Sequence, residues 1–313
     1  MLQTYARNKL TWPLSVGFTF VTWIFNGCFS LGGKLPHTVL VSPFFDYALG
    51  MLVCIVAIYL IAELNTRYAL LSNTDRTISM TFMLLIAMAM FLHPLQKAHL
   101  VMICYLVSYM LLFETYQSKK SPIWAFSVNL SLGVSSLVCP QLVWLVILNC
   151  LSLLILRSIG LKTLVASVLG ILVPYWFWGI LSYAFGGEGA FAAHIDMMNT
   201  FGGAGFDILS GKERWSFWTV LIIFIVGGID FFVNIHQNRS RTRINYYVVC
   251  LQGLVIFFFV WAEPELFSCL FPLCMVNASI VWGRLCSFSK GRTYDIIWTV
   301  VAVMWFITTL FIS

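Results

Sequence analysis

Apolar residues run through the chain in blocks of 16 to 25 residues, separated by short polar breaks. Eleven such blocks are found, near residues 12–30, 47–63, 77–92, 98–113, 122–138, 141–156, 161–185, 216–233, 245–262, 266–282 and 294–312. A hydrocarbon core of about 30 Å is crossed by roughly 20 apolar helical residues. The predicted fold class is therefore all-α: a polytopic transmembrane helix bundle of about eleven spans, built as one domain over residues 1–313. The third, fifth and sixth blocks are short, reaching only about 22–24 Å as helix. The hairpins that turn at residues 93–97 and 139–141 are thus candidate re-entrant segments. Irregular backbone at that depth must be covered by protein or line a cavity.

The widest break is residues 186–215, GGEGAFAAHIDMMNTFGGAGFDILSGKERW, with seven glycines. Phe191, Ile195, Met198 and Phe201 recur there at helical spacing, with His194, Asp196 and Thr200 off that face. The pattern predicts a short helix over 188–201, hinged at Gly186-Gly187 and Gly202-Gly203. Such a helix lies in a membrane interface or closes over a cavity as a lid. The alternative is a loop packed on the span ends.

Charge orients the spans. With the N-terminus cytoplasmic, fourteen of the eighteen Lys and Arg fall on the inner side, and only Lys34, Lys97, Lys212 and Arg214 fall outside. That bias is the positive-inside signature. It places the glycine-rich stretch and the last residue outside, and it accounts for the net charge of +6 without a nucleic-acid partner. The densest inner cluster, residues 236–243, holds Arg239, Arg241 and Arg243. It is read either as a topology determinant that meets anionic lipid headgroups or as a phosphate or pyrophosphate site, since arginine forks match phosphate oxygens.

Composition supports the same class: 60% hydrophobic and 10% charged residues, where soluble domains carry about 25% charge. Of nine cysteines, most lie inside apolar blocks and none forms a C-x-x-C pair. Neither a disulfide nor a metal site is expected. The apolar block after Arg7 and Lys9 is too long for a cleaved signal and reads as an uncleaved first helix.

No P-loop, H-E-x-x-H or G-x-S-x-G is found, and no cofactor is expected. His93 and His99 flank one short turn, too few ligands for zinc. Asp230, near the inner end of its block, is the clearest charge in an apolar run. It is read as paired with an arginine of the 239–243 loop, or as an ion or proton relay. Asn26, Asn129, Asn149, Gln252 and Asn277 also lie within apolar blocks, where interhelical hydrogen bonds are the usual role. Pro174 should kink its helix. Asp46, in the first outer loop, is the candidate base for any transfer chemistry, with His194 and Asp196 beside the same outer mouth.

The motifs LGVSSLVCP (132–140), LRS (156–158) and LGILVPY (169–175) resemble a group of multi-pass inner-membrane proteins of Bacteroidota. The resemblance covers mainly residues 110–180 and implies an inner-membrane location. The layout is also similar to membrane glycosyltransferases that use polyprenyl-phosphate sugars, which place an acid in the first outer loop. Here that acid is Asp46, without the fuller acidic motif or a large outer domain. The reading that follows is a membrane protein handling a lipid-linked or amphiphilic envelope substrate, by translocation or group transfer. Alternatives are a secondary transporter, for which no internal repeat is visible, and a non-catalytic subunit of an envelope assembly or secretion machine that meets membrane protein partners.

Overall fold

The structure is a computed structural model that describes residues 11–30, 43–71, 76–118, 120–203, 205–235 and 240–288. Among them are eleven α-helices and no strand: α1 (Thr11–Ser30), α2 (Pro43–Tyr68), α3 (Thr77–Met88), α4 (Lys97–Glu114), α5 (Ser121–Ser136), α6 (Leu145–Ile155), α7 (Leu161–Ala184), α8 (Glu188–Met197), α9 (Gly211–Val233), α10 (Ser240–Ala262) and α11 (Phe267–Phe288). The block at 294–312 and Arg239 lie outside the described residues.

Six helices, α2, α4, α7, α9, α10 and α11, are long and apolar enough to cross a membrane, consistent with a membrane-embedded protein. The three short blocks form short helices, with 12 residues in α3, 16 in α5 and 11 in α6. Proline sets one of these limits. Cys139 precedes Pro140 and is extended, at φ −129° and ψ 96°. A residue before proline is pushed out of the helical region, so the chain leaves α5, makes the tight turn Pro140–Trp144, and re-enters as α6.

The helix at the centre is α11. Of its most apolar window 89% is buried, against 28% for α7. It packs against α3, α4, α9 and α10, while α7 lies outside against α5. Two glycines allow the close approach. A Cβ on Gly227 of α9 would meet Val281 at 2.9 Å, and one on Gly283 of α11 would meet the Ile78 backbone at 2.7 Å. Small residues at such crossings let helices associate through backbone-distance packing.

Short connections make chain neighbours antiparallel and give the bundle two ends. At the first, the α3–α4 turn touches the start of α2, where Leu95 N–H donates to the Asp46 carbonyl at 3.0 Å. The turn between α5 and α6 meets the start of α11 through a Cys139–Cys269 disulfide. This corrects the expectation of no disulfide. Spacing along the chain carries no information on a pair 130 residues apart. At the second end, Arg67 of α2 pairs with Glu114 of α4 at 2.7 Å, and Arg284 of α11 pairs with Asp230 of α9 at 2.7 Å.

Candidate functional site

The site builds from polar residues placed near the middle of otherwise apolar helices. On α4, Tyr105, Ser108 and Tyr109 lie at i, i+3 and i+4, one stripe on one face. Asn129 of α5, Asn149 of α6, Gln252 of α10 and Asn277 of α11 each sit close to their helix midpoints. All are buried except Tyr105, which is half-buried. Buried polar groups must find partners, and these find each other. Gln252 Nε2 donates to Ser152 Oγ at 3.1 Å and to Asn149 Oδ1 at 3.5 Å, and Asn149 Nδ2 donates to Asn129 Oδ1 at 3.2 Å. On the other side, Asn277 Nδ2 donates to Tyr105 Oη at 2.8 Å, and Tyr109 Oη donates to Asn277 Oδ1.

Between the two halves lies a cavity. Its wall includes Cys104, Tyr105, Ser108, Ser135, Asn149 and Gln252, closed by leucines 132, 142, 145, 148 and 273. Its volume is about 10 Å³, room for about one water molecule. The polar wall is uncharged and offers both donors and acceptors, so it suits hydroxyl or amide groups better than ions. The Pro140–Trp144 turn closes it toward the first end, through Leu142.

Over that turn lies α8. It starts after Gly186 (φ +72°), as the first glycine pair predicts, but is helical only over Glu188–Met197 and stops short of Gly202 and Gly203 (φ +55°), not reaching residue 201. Its inward face differs from the expectation. Phe191, His194 and Met198 are half-buried, whereas Ile195 and Phe201 are exposed. The reason is the surface it meets. Trp178 of α7 makes edge contacts with Phe191 (5.3 Å) and with the His194 ring (4.6 Å). His194 Nε2–H donates to the Ser136 carbonyl at 3.2 Å. A ring that satisfies a carbonyl at the end of α5 gains more than an isoleucine would there. Desolvation holds His194 below the usual histidine range, with the Ser136 bond acting the other way. The segment is further held by Trp144 Nε1–H on the Met198 carbonyl (3.0 Å), Gln141 on the Thr200 carbonyl (3.4 Å), and Gly202 N–H on Glu263 (2.9 Å).

Comparison of the chain with protein-family models, with curated proteins and with solved structures finds no match.

The site residues expected from sequence are distributed as follows. Asp46 is buried in the first turn of α2, where the helix dipole favours a carboxylate. Its described neighbours belong to the α3–α4 turn, whereas those of His194 belong to α5 and α7. Asp196 points out, on the exposed side of α8. Among the described contacts Asp46 shares no partner with His194 or Asp196. Among the described residues Asp230 pairs with Arg284 of α11, an arginine outside the 239–243 loop; Arg239 lies outside the described residues. Asn234 Nδ2 also donates to Asp230 Oδ1, at 2.9 Å. Arg241 lies over the rings of Tyr68 and Tyr116, each 5.8 Å from its guanidinium carbon, and Arg243 is half-buried in the first turn of α10. Sequence reasoning missed Cys104, Tyr105, Ser108 and Ser135. The polar stripe on α4 was the available signal.

His93 and His99 do share one turn, as expected, but their partners are structural. His99 Nδ1 accepts the Gln96 N–H at 3.1 Å and caps α4. His93 stacks on Trp23 of α1 at 4.0 Å, and its Nε2–H donates to the Ile86 carbonyl at 3.3 Å. Among the described residues no cluster of three metal-ligating side chains is found. Burial pushes the His93 ring from 6.5 down to about 4. The unfolded chain therefore binds a proton more readily, and this contribution to stability falls as pH drops from about 6.5 to about 4. The expected loss approaches ~3 kcal/mol. Thermal unfolding in detergent across that window should show a smaller drop for His93→Gln than for the wild type. Equal drops would assign the pH dependence elsewhere.

Proposed function

We propose that the protein is a multi-pass inner-membrane protein that handles a lipid-linked or amphiphilic envelope substrate, whose polar group enters the mid-depth cavity. The observation that carries this is the uncharged polar wall, contributed by four helices. Polar groups in hydrocarbon are expensive, and they mark pathways or binding sites more often than in soluble proteins. Interhelical bonding alone asks for pairs, whereas Ser108 and Ser135 line a space. The positive-inside bias orients the bundle with α8 outside, and the eleven sequence blocks give the span count. Exposed Trp176, Tyr183, Phe185, Trp215 and Trp261 gather at the α8 end, where an aromatic belt meets headgroups. The α8 segment lies among them as an interfacial helix. The inner Arg241 is a candidate for the phosphate of the same substrate. Asp46 and His194 have different neighbours, which favours translocation over group transfer.

The test is a reconstitution. Vesicles carrying the purified protein and a fluorescent short-chain polyprenyl phosphate are exposed to an impermeant quencher. The protein is expected to speed exchange of the labelled lipid between leaflets, and Ser108→Leu, which fills the cavity, to reduce the rate at least tenfold with its melting temperature preserved. No acceleration by the wild type would reject the reading.

A further inference from the structure

We propose that the Cys139–Cys269 disulfide is a redox latch on the mid-depth cavity, closing the α8 end when oxidised and releasing it when reduced. The inference rests on the reading of that cavity as the substrate site. Both cysteines lie next to segments that line the cavity. Cys139 immediately precedes the Pro140–Trp144 turn, whose Leu142 closes the cavity, and its N–H bonds back to the carbonyl of Ser135, itself a wall residue. Cys269 lies in the first turn of α11, and Leu273, one turn further along, is the wall opposite. The bond therefore ties together the two walls that must separate for anything larger than water to enter from this end.

The rest of the closure is built on the same turn. Trp144 and Gln141 hold the α8 segment at the Met198 and Thr200 carbonyls, and positive-φ glycines stand at both its ends. Hydrogen bonds of this kind exchange with water, but a covalent bond does not. Disulfides persist on the oxidising side of a membrane, which is where the charge bias puts this end. Opening consumes one dithiol reductant. Its thiolate attacks one sulfur and expels the other as a thiolate, which takes up a proton. Its second thiol then resolves the mixed disulfide. Two electrons and two protons are transferred, leaving thiols at 139 and 269 and a disulfide on the reductant.

A reporter is already in place. Cys104 is free, half-buried, and lines the cavity. The full-length protein in detergent is treated with methyl methanethiosulfonate, and modification of Cys104 is followed by peptide mass spectrometry. Buried Cys274 serves as the control for unfolding. The Cys139→Ser/Cys269→Ser variant is expected to react at Cys104 at least tenfold faster than the wild type, with Cys274 unchanged. The same rate in both proteins, a rise shared by Cys274, or a wild type in which 139 and 269 carry free thiols would each overturn the latch. The readout needs no substrate. A latch without lipid exchange in vesicles removes the proposed function alone, and lipid exchange with an unchanged Cys104 rate removes the latch alone.

Discussion

Replacing Arg284 by methionine is expected to destabilise the protein by about 3–5 kcal/mol, the usual cost of leaving one member of a buried ion pair without its partner. Arg284 is fully buried, and the Asp230 side chain is 8% exposed. The guanidinium also lies over Phe231 at 5.2 Å and Phe288 at 5.4 Å, contacts that a methionine keeps only in part. The remaining carboxylate would be held at the junction of α9 and α11 by Asn234. Removing both charges should recover part of the loss, because a neutral pair carries no desolvation penalty. Unfolding in a graded denaturant should therefore rank the wild type first, Asp230→Asn/Arg284→Met second and Arg284→Met last. If the double variant is no better than the single, the pair is not the origin of the loss. A relay role for Asp230 would show differently, as activity lost at unchanged stability.

Gly170→Val is expected to be as damaging, by a different mechanism. Gly170 of α7 faces α5 so closely that a Cβ would overlap the Phe126 carbonyl and sit 3.1 Å from the Leu130 nitrogen. These are backbone atoms, and rotamer changes cannot relieve them. The two helices must move apart, and Gly133, packed against Pro174 in the same seam, moves with them. Overpacking of this kind costs about 1–3 kcal/mol when side chains can yield and more when they cannot. Gly228 of α9 has open space around its Cβ direction, so Gly228→Ala should be neutral or slightly stabilising. A melting temperature for Gly170→Val within error of the wild type would show that the α5–α7 seam is looser than the geometry implies.

Much of this architecture was legible in the chain. Hydropathy is a property of a local window, so the apolar blocks among the described residues appeared as helices, and the short ones appeared short. Glycine's freedom at positive φ is equally local, and Gly186 stands just before the outer helix as the pattern required, although the helix ends at Met197, well before Gly203. The buried amides Asn129, Asn149, Gln252 and Asn277 were visible as polar interruptions of apolar runs. What stayed hidden was rotation and pairing. A helix that is apolar all round has no preferred face, so nothing in α11 announced that it is the central helix. On α8 the periodic pattern put Ile195 inside, yet the aromatic cup of Trp178 and the free carbonyl of Ser136 selected His194. Asp230 announced that it needs a cation. That Arg284 is a cation it meets follows from α9 and α11 crossing at Gly227. The cysteines at 139 and 269 read as separate apolar residues until the fold brought two ends of helices together. Sequence thus determined which of the described segments are helices, because that depends on neighbours in the chain. Only the tertiary structure decided which faces meet, because that depends on residues far apart in sequence whose contacts no local window contains.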